Sequence, residues 1–301
     1  MPAEPDAHAA PGEASLRDRR RGMLWGLLGV IAFSLTLPAT RLAVAYLDPV
    51  FVGLGRAVVA AALAAAVLLG TRARRPDRRT LAGLVLVALG VVVGFPLFSA
   101  YAMRYVPASH GAVVVGLLPL ATAVAGALFA HERPSPRFWG CALVGSGVVG
   151  GFAVWKGGGA LHRADLLLVA AVVSAAVGYA EGARLARSRG GWQVISWALV
   201  IAAPIVAVPT WLSLDSRIAA APWTAWAAFA YVSAVSMFLG FFAWYKGLAL
   251  GGIAAVGQLQ LLQPFFTLFA SAVLLHETLD APTFIAAALV VATIAAGRRR
   301  R

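Results

Sequence analysis

The chain has 301 residues, is 61% hydrophobic and only 12% charged, and carries 25 Lys and Arg against 12 Asp and Glu for a formal net charge of +13. Water-soluble domains run at about 25% charged residues, so a soluble enzyme and a disordered chain are both excluded. A single cysteine, Cys141, excludes a disulfide scaffold and reads as a buried packing residue. The arginines cluster at the ends of apolar runs rather than along an aromatic-studded stripe, which argues for membrane orientation and against nucleic acid.

A spanning helix needs about 20 mostly apolar residues. Residues 1–22, rich in Ala, Pro and charge, are expected to form a disordered basic cytoplasmic tail. Ten spans are then predicted: Met23–Ala45, Val50–Gly70, Leu81–Met103, Gly111–Ala130, Phe138–Val154, Leu166–Ala186, Trp192–Leu212, Trp223–Leu248, Ile253–Leu275 and Pro282–Gly297, with residues 298–301 a basic C-terminus. The first resembles a signal peptide in its basic flank but reads as an uncleaved first helix. No alternation of period two favours a barrel, so the fold class is an all-α polytopic membrane protein. One side collects the arginines of the N-terminal tail, Arg72–Arg79, Arg133, Arg137, Arg184–Arg189 and Arg298–Arg301. The other has only Arg104, Lys156, Arg163 and Arg217. The positive-inside rule then places both termini in the cytoplasm.

An internal repeat sets the organisation. Pro119 and His131-Glu132 recur as Pro264 and His276-Glu277, an offset of 145 that also matches Leu117 to Leu262, Thr122 to Thr267 and Ala127 to Ala272. The halves, 23–154 and 166–297, then hold five spans each, and an odd number inverts the second half relative to the first. Inverted repeats are a structural mark of secondary transporters.

On these residues the chain resembles the ten-helix EamA-domain branch of the drug/metabolite transporter superfamily. The resemblance rests on Ala32-Phe33-Ser34 through Pro38 and Arg41, Pro49 followed by Arg56, Tyr101 to Ser109, Leu118-Pro119 and His131 to Pro134. The second half adds Gly178 to Gly182, Gly190 to Ile195, Trp244 to Ala249, and Gln263-Pro264 to His276-Glu277. It implies two five-helix repeats around a central cavity in a bacterial plasma membrane. It also implies export of amino acids, related metabolites or toxic compounds, without a cofactor. Drug efflux by the same fold is the alternative. Without a Walker motif, a Cys/His/Asp grouping or a catalytic carboxylate pair in the spans, neither a pump nor an enzyme is expected. A non-transporting component that binds a partner would need large soluble loops.

Ionisable groups inside a span cost about 2.5–3.5 kcal/mol on insertion scales and so mark function by default. Glu181 shares one helical face with Ser174 and Gly178 and is the candidate for proton coupling, although Arg184 three residues on offers a structural pair. Arg56, seven residues beyond Pro49, either holds a substrate carboxylate or ties helices together. Arg41, Arg104 and Lys246 are expected to snorkel. In the ninth span Gln260, Gln263, Thr267 and Ser271 form a polar stripe suited to a zwitterion, on which the first half has Val115 and Leu118. Ser34, Pro38, Tyr101, Tyr179, Trp244 and Tyr245 complete the candidate cavity. Pro96, Pro119, Pro204, Pro209 and Pro264 are expected to bend helices. Gly90-xxx-Gly94 and Gly147-xxx-Gly151 are expected to be packing seams. The two His-Glu pairs lack a His-Glu-x-x-His and read as interfacial caps, with no metal.

Overall fold

The computed structural model describes residues 11–129, 136–156, 162–215, 217–251, 256 and 258–297, and every regular element among them is helical. In chain order these are α1 (Arg17–Val44), α2 (Phe51–Gly70), α3 (Arg78–Ala102), α4 (Ala108–Leu128), α5 (Pro136–Lys156) and α6 (Arg163–Arg189). There follow α7 (Gly191–Leu212), α8 (Trp223–Gly247), α9 (Leu259–Leu275) and α10 (Ala281–Gly297). Seven of them, α1–α4 and α6–α8, are long and apolar enough to cross a membrane, and α9 and α10 carry shorter apolar stretches. Residues 11–22 depart from the expected disorder. Helix extends back to Pro11, because Glu, Ala, Leu and Arg favour helix.

Helix packing follows an exchange rule. α1 lies against α8 and α6 against α3, α4 lies against α6 and α9 against α1, and α2 meets α8 while α7 meets α3. The pairs α2–α7, α4–α9 and α5–α10 close the set. Advancing each helix by five places maps these contacts onto themselves, which is the signature of an internal two-fold. Two pairs of local distortions obey the same rule. α3 is π-helical over Ala88–Gly94 and α8 over Tyr231–Leu239, segments that overlap when shifted by 145 residues. Both α4 and α9 break just before Pro119 and Pro264, where each ring removes an amide donor.

Lipid tails are as apolar as leucine, so the helices associate by close packing of small residues rather than by hydrophobic burial. Ala57, Ala60, Ala61 and Ala64 of α2 are buried together with Val194, Ala198, Ala202 and Val206 of α7. The tightest seam joins α3 to α6. A Cβ on Gly90 would lie 2.4 Å from the Ser174 carbonyl oxygen, one on Gly94 would lie 2.7 Å from the Ser174 side chain, and one on Gly83 would lie 2.1 Å from Glu181 Oε1. Gly147 and Gly151 correct the second glycine expectation. Both face open space, since α10 packs on a different face of α5. Cys141 on the same helix is only half-buried. Leu69, Leu143, Trp211, Trp223 and Phe269 are largely exposed on the outside of the bundle, where acyl chains would cover them.

Polar side chains are spent at helix ends. Asp48 accepts from the Val50 amide and Asp77 from the Thr80 amide, each at 2.7 Å. Glu277 receives the Ala108 and Ser109 amides at 2.8 and 2.9 Å, so a residue of the second half caps α4 in the first. His131-Glu132 lie outside the described residues. Lys156 and Thr283 hydrogen-bond the Asp280 carboxylate and hold its pKa down to about 2. The bond from Thr80, with Arg189 beyond it, lowers that of Asp77. Arg41, expected to snorkel, instead donates to the Met103 carbonyl, while Lys246 sits 4.2 Å above the Trp25 ring.

The two glycine pairs differ enough to test. Gly90→Ala should destabilise the detergent-solubilised protein by about 1–3 kcal/mol, because the methyl meets backbone that cannot yield. Gly147→Ala should cost nothing and gain up to about 1 kcal/mol in helix propensity. Thermal unfolding of the two variants separates them, and equal losses would contradict the packing described.

Candidate functional site: a closed polar cavity between the halves

The site begins with a break in α1. Pro38 has no amide hydrogen, so the Ser34 carbonyl four residues earlier loses its helical donor. Thr267 of α9 supplies one, its hydroxyl donating to Ser34 O at 2.9 Å. Tyr231 of α8 donates to the Ala32 carbonyl at 2.9 Å, and Ser236 of α8 shares a hydrogen bond of 2.8 Å with Thr36. Three second-half side chains therefore clamp one turn of α1. The Ser34 hydroxyl turns back to Val30 O at 2.7 Å.

Beside this clamp lies a narrow cavity of two adjoining lobes. Phe33, Thr36, Phe95, Leu118 and Gln263 belong to both lobes. Gln260, Pro119, Pro264 and Thr267 line the first, and Arg56, Tyr179, Ser236 and Phe241 the second. The walls stand so close that each lobe admits only roughly one or two waters. Its walls come from α1, α3 and α4 and from their repeat counterparts α6, α8 and α9, with Arg56 reaching in from α2. The cavity thus lies on the internal two-fold.

Arg56 is placed by the π-helical turn Phe51–Gly55 that precedes it, whose Gly53 sits so near α3 that a Cβ there would lie 2.9 Å from Leu97 Cα. Its side chain is buried, and Nε and Nη1 have no hydrogen-bond partner. Of the residues expected to line a cavity, Arg56, Tyr179, Gln260, Gln263 and Thr267 converge here. Ser34 and Pro38 build the neighbouring wall through the helix break. Trp244 packs instead between α1 and α8, edge-on to Phe33 at 6.4 Å and against Gly29. Tyr245 lies 5.7 Å from the Phe241 ring and presses on Gly182 and Gly191, its hydroxyl buried without a partner. Tyr101 belongs to a separate groove with Leu97, Tyr105 and His162.

Glu181 is also off the cavity walls. The face it shares with Ser174 and Gly178 is the glycine seam with α3, and its carboxylate holds Arg184 through two bonds of 2.5 and 2.8 Å. Thr36, Ser236, Phe95 and Phe241 are wall residues that sequence reasoning passed over. A buried pair, His110 Nε2 to Asp165 Oδ1 at 2.6 Å, escaped it too. Asp165 also caps α6 by accepting the His162 amide, and the Asp-after-His spacing at that helix start was the available signal.

A duplicated helical bundle closed around a polar cavity is the architecture of a membrane carrier. The EamA-like transporter family model matches the chain twice, over residues 20–152 and 162–296, and the chain belongs to that family. It is 48% identical to the uncharacterized transporter YdeK of Bacillus subtilis (strain 168) over 278 residues, covering 92% of this chain and 97% of that one. A crystal structure of a protein 19% identical matches the fold with a TM-score of 0.62, covering 93% of this chain and 97% of the other. The chain is a multi-pass membrane transporter.

The placement of Glu181 generates a prediction. Glu181→Gln should lower thermal stability through the lost Arg184 pair while leaving solute exchange and its dependence on a pH gradient unchanged within about twofold. Loss of gradient dependence with exchange intact would make Glu181 the proton-coupling group instead.

Proposed function

We propose that the protein is a secondary carrier that exports amino acids or related small metabolites across the bacterial plasma membrane by alternating access. The observation that carries this reading is the closed cavity at the interface of two repeats, walled by equivalent helices from each. In this reading the chain crosses the membrane ten times as two inverted five-helix repeats with both termini cytoplasmic, α5, α9 and α10 being the shorter crossings. Inverted halves can exchange conformations, so that one rocking motion closes the site to one side and opens it to the other. Broken α1, α4 and α9 and the π-helical turns of α3 and α8 supply the points where helices bend. Uncharged Gln260, Gln263 and Thr36 suit a small polar solute, and the tight walls favour metabolites over bulky drugs. The protein carries out no covalent chemistry and needs no cofactor, metal or nucleic acid; its partners are the solute and the bilayer.

Counterflow in proteoliposomes tests the proposal. Vesicles loaded with pooled unlabelled amino acids should accumulate labelled solute from the same pool at several times the rate of protein-free vesicles. No counterflow of any pool by folded, monodisperse protein would overturn the assignment to small metabolites.

A further inference from the structure

The cavity contains a positive charge that no described residue balances. Arg56 is 3% exposed and stays protonated at any physiological pH. Its Nε and Nη1 are buried and unpartnered. Such a charge inside a membrane protein is normally paired with a carboxylate or fully hydrogen-bonded. Six of the described acidic residues are committed elsewhere. Asp48, Asp77 and Glu277 cap helices, Asp165 holds His110, Glu181 holds Arg184 and Asp280 holds Lys156. Among the described residues no Asp or Glu lines either lobe.

The lobe that Arg56 lines is also lined by Tyr179, Thr36, Ser236 and Gln263, which bring hydroxyls and an amide, and by Phe33, Phe95 and Phe241, which bring no charge. One of the Thr36 and Ser236 hydroxyls donates to the other at 2.8 Å, and among the described cavity residues the Arg56 fork is the strongest free donor. A fork of parallel N–H groups matches the two oxygens of a carboxylate, and the aromatic walls match an apolar body attached to it.

We propose that Arg56 is the anchor for a substrate carboxylate, and that the transported solute is a small monocarboxylate, an amino acid or a simple organic acid, with an apolar side chain. This rests on the carrier reading above and narrows it to a substrate class. Binding neutralises the buried charge in a wider conformation than this one, whose lobes hold only water-sized groups. The alternative role of tying helices together would need the guanidinium to hold backbone or side-chain acceptors, and Nε and Nη1 hold none.

Ligand-dependent thermal stabilisation of the full-length protein in detergent separates the possibilities without requiring transport. Matched probes are L-phenylalanine, 3-phenylpropanoate, L-phenylalaninamide and 2-phenylethylamine, with L-leucine, 4-methylpentanoate, L-leucinamide and 3-methylbutylamine as the aliphatic set. Carboxylate-bearing members should raise the melting temperature and the amides and amines should not; comparing each amino acid with its deaminated acid shows whether an amine is also read. Arg56→Gln should weaken the carboxylate response by about 30-fold or more in apparent affinity. The same substitution should leave the ligand-free melting temperature unchanged or raised, because it removes an unpaired charge. Arg56→Lys keeps the charge without the fork and should fall between.

A ligand-free melting temperature that drops in Arg56→Gln, with the carboxylate response intact, would return Arg56 to a helix-tying role. Equal stabilisation by acids, amides and amines, or none by any probe, would overturn the carboxylate site. Absence of counterflow in vesicles alongside a carboxylate-specific, Arg56-dependent stabilisation would sink the carrier reading and leave the binding site standing.

Discussion

Inside a bilayer every backbone polar group must find a partner within the protein, and at Pro38 the chain gives one up. The Ser34 carbonyl is recovered by Thr267, and the same turn of α1 is held by Tyr231 and Ser236. Each of these donors comes from the second half of the chain. The break in α1 is thus stable only when the two halves are docked, and the docking creates the cavity beside it. Phe33 and Thr36, three residues apart and so on one helical face, both line that cavity. An unbroken α1 would need neither the clamp nor the space.

Around this point the molecule divides its work. Glycine and alanine seams, above all Gly83, Gly90 and Gly94 against α6, hold helices at distances that larger residues could not reach. Carboxylates are used at helix ends, where they satisfy amides and pair with arginine or lysine. Among the described residues the cavity walls carry hydroxyls, two glutamine amides and one guanidinium. The repeat supplies the frame symmetrically, but the chemistry is not symmetric: Gln260 and Gln263 stand where the first half has Val115 and Leu118, and Arg56 stands where the second has Ile201.

Much of this was legible in the residues. Hydropathy located the helices, and the recurring Pro-His-Glu spacing exposed the duplication. The polar face of Gln260, Gln263 and Thr267 pointed at the cavity because a helical period carries that information. Side chains whose role depends on a distant partner were not legible. Trp244 and Tyr101 share the aromatic character of Tyr179, yet only the packing of α1 on α8 and of α3 on α6 decides which one faces the interior. The Thr36–Ser236 and His110–Asp165 pairs join residues far apart in the chain and follow no local pattern. Gly147 and Gly151 carry the same spacing as Gly90 and Gly94 but have no neighbour, since a small-residue motif specifies that a helix can be approached, not that one approaches. Residues 11–22 read as tail by composition, while their helix formers extend α1.

Alternating access requires this narrow cavity to open in turn to the two sides of the membrane. Ser236→Cys in a Cys141→Ala background places a single thiol on the cavity wall with little change in volume. In sealed vesicles of known orientation, a membrane-impermeant maleimide should reach that thiol from the inside and, in a separate experiment, from the outside, at rates well below that of a surface cysteine. Labelling from one side only, or from neither, would contradict alternating access through this cavity.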